Sequence, residues 1–151
     1  MQTVSPNLRG EIERACERLV YEYARLLDTG DVSGAADLFA VQGSMARPMM
    51  PDVLIEGREN VRSSLLTRPK TLLTKHLVTN VMIDVDSPSL ATGLSYLTMI
   101  STTPGDCAPP FMSQGPVYFG QMHDRFILEE GQWRFLERRG SIQMTFRGAG
   151  S

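Results

Sequence analysis

Cysteine, histidine and tryptophan are all scarce in this chain of 151 residues, which has two, two and one of them. Two cysteines, Cys16 and Cys107, are too few to staple a disulfide scaffold, and their spacing matches no metal-ligand pattern. Charge of one sign is lacking as well. The formal net charge is −2 and the pI about 5.7, with Lys and Arg scattered apart from a short cluster at Arg134, Arg138 and Arg139. A nucleic-acid surface needs a clustered basic face, so nucleic acid is not an expected partner. No hydrophobic run approaches a membrane span, and the first residues hold no apolar secretory core. The expectation is a protein without membrane partners in a reducing, cytoplasmic compartment.

What is present is ordinary for a globular protein: 42% hydrophobic and 21% charged residues. The length suits a single domain over 1–151 with a core of its own. The chain turns on residues 18–39, RLVYEYARLLDTGDVSGAADLF. Ser5-Pro6 offers a helix start, and Ile12, Cys16, Leu19, Val20, Tyr23, Leu26 and Leu27 then recur at spacings of three and four. That is a helix with one buried face. Thr29-Gly30 ends it, since Gly tolerates the left-handed turn after a helix. Asp31 or Ser33 can cap a second, short helix closing on Phe39.

Residues 41–56 alternate poorly and read as two short strands around an irregular stretch at Pro48 to Pro51. Gly57 leads into a third helix with Val61, Leu65 and Leu66 as its apolar side. From Thr71 onward the period changes to that of strands, over 72–85, 90–103, 117–129 and 132–145. The loop PGDCAPPFMSQGP and the turn at Glu130-Gly131 separate them. Helices first and long antiparallel strands after them read as α+β: a curved, mainly antiparallel sheet wrapped around three helices, with a pocket between.

Strand alternation puts His76, Val78, Asn80 and Met82 on one side, and the apolar members argue that this side faces inward. A buried His and Asn need partners. His76 is either a core histidine bonded to a backbone carbonyl or a base. Asp28, at the end of the first helix, is either a turn-forming residue or the carboxylate that orients it. An Asp accepting from one imidazole nitrogen fixes the tautomer, leaving the other nitrogen to take a proton.

Tyr23, five residues before Asp28, is either a core tyrosine or a phenol that polarises a carbonyl or protonates a leaving hydroxyl. Arg138 and Arg139 point to opposite faces, so one can be interior, binding a carboxylate or forming a structural ion pair. Asp124 shares the face of Met122 and is a second pocket carboxylate or an arginine partner. His123 faces outward, and Trp133 packs in the core or an interface. Met45, Met49, Met50, Met99, Met112 and Met122 suit an adaptable apolar lining.

The runs YEYARLLDTGDVSGAADLF, EGRENV, TKHLVTNVMIDVD and GQMHDRFILEEGQWRFLERR, in this order and spacing, resemble the SnoaL-like branch of the NTF2-like superfamily. Within it the pattern is most similar to the scytalone dehydratase-like proteins, from about Glu11 to about Met144. The resemblance implies a cone-shaped α+β barrel, no metal and no cofactor. It also implies an Asp closing the first helix paired with a His opening a strand; here Asp28 and His76 are 48 residues apart.

The implied activity is a dehydratase-type elimination on a small hydrophobic, cyclic or carbonyl-bearing molecule. His76, Asp28 and Tyr23 would be catalytic, with Asn80, Met99, Met122, Asp124 and Arg138 against the substrate. Leu27, Ser101 and Met122 stand where scytalone dehydratase has polar pocket residues, a departure that sets the substrate apart. An isomerase using the same pair, or an NTF2-like module that only binds a ligand or protein, fits the same residues. A homo-oligomer, trimer or dimer, is expected from the broad outer face of such a sheet.

Overall fold

In the computed structural model, which describes residues 4–147, the first helix, α1, runs Pro6–Thr29. Ser5 accepts a hydrogen bond from the Leu8 N–H with Pro6 at the first helical position, and Gly30 ends the helix in the left-handed region at φ 83°. Ile12, Cys16, Leu19, Val20, Leu26 and Leu27 are buried along one stripe. Each large apolar side chain so buried stabilises by roughly 1.5–3 kcal/mol. Asp31 then caps α2 (Val32–Asp37), its carboxylate accepting from the Gly34 N–H at 2.8 Å.

The remaining elements are β1 (Phe39–Ala46), β2 (Leu54–Glu56), α3 (Arg58–Leu66), β3 (Leu73–Ser87), β4 (Leu90–Thr102), β5 (Val117–Glu129) and β6 (Gln132–Phe146). They form one six-stranded sheet in the order β2-β1-β6-β5-β4-β3. All neighbours are antiparallel except β1 and β6, which run parallel. The architecture is therefore the α+β arrangement expected, a curved mixed sheet with helices packed on it. α1 lies against β3 and β6, and α3 packs on α2 and β1. Phe39, Phe126 and Phe135 are fully buried where these layers meet, with neighbouring ring centroids 5.3 Å apart.

Two bulges decide which side chains face inward. In β3 the pairing slips between Thr79 and Met82, and Asn80 takes a left-handed conformation at φ 52°. The extra residue reverses the alternation. His76 and Val78 face in before the bulge, and Val81, Ile83 and Val85 after it, so Asn80 is exposed and Met82 is 66% exposed. The inward placement of Asn80 and Met82 is corrected on that ground. In β6 the slip falls opposite Arg125 and Phe126, with Leu136 as the extra residue. It puts Arg138 rather than Arg139 on the face of Phe135, and Arg138 is 2% exposed.

Two further expectations change. Leu66, at the last position of α3, is 58% exposed, because the buried stripe of that short helix is Val61 and Leu65 alone. Met112 is 82% exposed on the loop between β4 and β5, away from any apolar lining. Gly140 holds the opposite kind of position. A β-carbon there would lie 2.8 Å from the Met122 sulfur and clash with Cγ and Cδ of Pro48, so only glycine lets the loop after β1 close over β5 and β6.

Candidate active site

The last turn of α1 releases its aspartate for tertiary use. Thr29 Oγ1 donates to the carbonyls of Arg25 and Leu26, and the Gly30 N–H donates to the Leu27 carbonyl. With the helix end satisfied in this way, the Asp28 carboxylate turns toward β3. It accepts the Thr74 hydroxyl at Oδ1 (2.9 Å) and the His76 backbone N–H at Oδ2 (2.9 Å). The His76 ring Nδ1 lies 2.5 Å from Oδ1. Thr74 and His76 are two apart on one strand, so alternation presents both to the same carboxylate. The two interacting side chains are about nine-tenths buried, at 9% exposure for His76 and 11% for Asp28.

Burial by itself pushes the Asp28 carboxyl up. The hydrogen bonds from the His76 ring and backbone, the imidazole charge and the Thr74 hydroxyl outweigh it and hold the carboxyl below its usual range. An ionised Asp28 accepts a hydrogen bond from Nδ1–H, which leaves Nε2 as the nitrogen available to a ligand.

His76 borders a cavity of about 400 Å³. Met45, Met49, Met50, Met99 and Met122 supply much of its wall, and Leu27 and Ser101 are also on it. Such thioether walls adapt to ligand shape. Tyr23 lines the same cavity. Its ring packs edge-on against Phe39 and Phe135 at 6.0 and 5.9 Å between centroids, and among the described residues its hydroxyl meets only the Met45 sulfur, at 3.3 Å. Burial raises its pKa, with the Arg138 charge opposing, so Tyr23 is a neutral phenol with a weakly used proton.

Arg138 reaches the cavity from β6, its guanidinium stacked 4.5 Å from the Tyr23 ring centre and 4.6 Å from that of Phe135. Behind it Asp124, directly opposite across β5 and β6, is buried and does not line the cavity. The Arg138 Nε to Asp124 Oδ1 distance is 3.4 Å, yet neither atom has an aligned hydrogen bond among the described residues. Dehydration therefore outweighs the arginine's attraction and pushes the Asp124 carboxyl up to about 6. Of the two readings of Asp124, arginine partner describes its position and pocket carboxylate does not. His123 is exposed, and Trp133 packs against the core.

Three residues absent from the sequence reading belong to this site. Thr74 bonds Asp28, and its position two before His76 was the available signal. Arg68 donates to the Thr74 hydroxyl and lines the cavity, as does Arg47, which is anchored on Ser64 of α3. Nothing local marks either arginine, because their neighbours come from other elements. Among the described residues, no group of three or more His, Cys, Asp or Glu is placed to hold a metal ion, and no helix is long and apolar enough to cross a membrane.

A family model described as the SnoaL-like domain matches residues 9–139. No curated protein matches the sequence. Among solved structures, a protein from Novosphingobium aromaticivorans DSM 12444, provisionally assigned as a scytalone dehydratase, superposes with TM-score 0.73 at 24% identity, covering 91% of this chain and 93% of its own. A hexachlorocyclohexane dehydrochlorinase superposes with TM-score 0.79 at 14% identity over 97% of this chain and 95% of its own. An NTF2-like protein with a cystatin-like fold, also from Novosphingobium aromaticivorans, gives TM-score 0.69 at 16% identity over 91% and 82%. At these identities the likenesses establish the fold, which is NTF2-like.

Proposed function

The chain belongs to the SnoaL-like domain family, and on that footing we propose that it is a cofactor-independent lyase. His76 removes a proton, and its substrate is a small hydrophobic, cyclic or carbonyl-bearing molecule held in the methionine-lined cavity. One observation carries the reading: Asp28 occupies the His76 Nδ1 while the ring borders the cavity. Nε2 takes the proton α to the carbonyl, the carbon–carbon double bond forms, and the β C–O bond breaks. Asp28 balances the imidazolium that results, as the carboxylate of a catalytic triad does. Tyr23, whose hydroxyl rests on the Met45 sulfur, a weak acceptor, donates its proton to the departing hydroxide, which leaves as water. The proton on Nε2 passes back to the phenolate by way of solvent once the product leaves. Met99 and Met122 hold the apolar body, and Arg138 polarises the oxygen that gains charge. General-base catalysis of this kind contributes about 10²–10⁴-fold.

The same family membership supports a homo-oligomer, dimer or trimer. One row across the outer sheet face, Leu77, Thr98, Phe119 and Met144 in register, includes side chains 50%, 36% and 64% exposed at Leu77, Phe119 and Met144. A second copy laid over that row would remove them from water.

The test of the lyase reading is a screen of hydrophobic β-hydroxy carbonyl compounds. The ultraviolet band of the conjugated product is followed, and mass spectrometry checks that one water is lost. Turnover of at least one such compound is expected. Neither elimination nor exchange of the α-hydrogen with deuterated solvent across the panel would overturn the proposal.

A further inference from the structure

Arg47 and Arg68 both line the cavity, and no ion pair among the described residues includes either of them. Each commits a single terminal nitrogen to the protein. Arg47 Nη2 donates to the Ser64 carbonyl and hydroxyl, and Arg68 Nη2 donates to the Thr74 hydroxyl. A guanidinium has five N–H donors, so among the described residues most of the donors at both side chains are unused, and Arg47 Nε is buried with no partner there. The two cations also repel each other. Dehydration and the Arg47 charge together depress the Arg68 pKa, although Asp28 and Tyr23 oppose them. With Arg138, three guanidinium groups among the described residues border the cavity, and no carboxylate among them does.

Two half-buried, mutually repelling cations on an apolar cavity are costly unless an anion joins them. We infer that the natural ligand of this cavity is a hydrophobic carboxylic acid whose carboxylate is taken between Arg47 and Arg68. The planar fork of each guanidinium matches a carboxylate, which would then accept from both. The methionine-lined remainder takes the apolar body. Arg68 further joins this subsite to the base through Thr74, which accepts from Arg68 and donates to Asp28. The inference uses the cavity of the lyase reading and names its substrate class, but it is tested by binding alone. Failure of the elimination screen leaves it standing, and failure here leaves the Asp28–His76 pair untouched.

The experiment is titration calorimetry of the full chain with three acids and their carboxamides: 1-naphthoate, 2-naphthoate and 3-phenylpropanoate. The carboxamide has the same shape without the charge. At least one acid is expected to bind about tenfold more tightly than its amide, the scale of one added charge-assisted contact. Arg47→Gln and Arg68→Gln should each bring that acid toward parity with its amide, while Arg68→Lys retains part of the preference. Amide binding that persists in the variants reports that their cavities remain folded. Amides that bind as tightly as the acids, acids that do not bind at all, or a preference unmoved by both Gln variants would each overturn the inference.

Discussion

Asp28 holds His76 twice: Oδ1 lies 2.5 Å from the ring Nδ1, and Oδ2 accepts the backbone N–H of the same residue at 2.9 Å. One carboxylate therefore fixes both the strand that carries the imidazole and the ring's rotation. The first prediction concerns the tautomer. Heteronuclear NMR of labelled imidazole should show the His76 proton on Nδ1 in the neutral ring, and Asp28→Asn should abolish that preference. A neutral wild-type ring protonated at Nε2 contradicts the arrangement.

Tyr23 separates packing from chemistry. Its hydroxyl meets the Met45 sulfur, a weak acceptor, and Tyr23→Phe keeps the aromatic contacts with Phe39 and Phe135. Chemical denaturation should place the variant within about 1 kcal/mol of wild type. Its kcat on a screened substrate should fall about tenfold or more, as for a lost proton donor. An unchanged kcat would return Tyr23 to the core.

The two carboxylates give opposite pH dependences. Asp28 is depressed, so its contribution to stability is full above the unfolded carboxyl value and is lost as pH falls through the folded one. Asp124 is raised to about 6, so its contribution is full below the unfolded value and is lost as pH rises through about 6. Urea denaturation at about pH 4 and about pH 7 should therefore show wild type losing on the order of 2 kcal/mol relative to Asp124→Asn. A difference that stays flat between these pH values contradicts the raised Asp124.

The end of α1, the reversal at Gly30 and the strand that carries His76 were legible because caps and periodicity are local properties. The Asp28–His76 contact was legible only with the family's spacing in hand. Asn80 was misplaced because a one-residue bulge reverses alternation and leaves no mark in composition. The bulge at Leu136 decided between Arg138 and Arg139, which alternation alone could not. Arg47 and Arg68 stayed hidden for another reason. Their meaning lies in the missing counter-charge, which exists only once α3, β1 and β3 surround one cavity.

In the proposed elimination His76 is the base and Asp28 its orienting partner. The most direct measurement is kcat/KM of His76→Ala and Asp28→Asn on a substrate that the wild-type protein eliminates. A loss of about 10²-fold or more is expected for His76→Ala, and of at least about tenfold for Asp28→Asn. Activity within about threefold of wild type in either variant, a change of under 1 kcal/mol in the barrier, would contradict it.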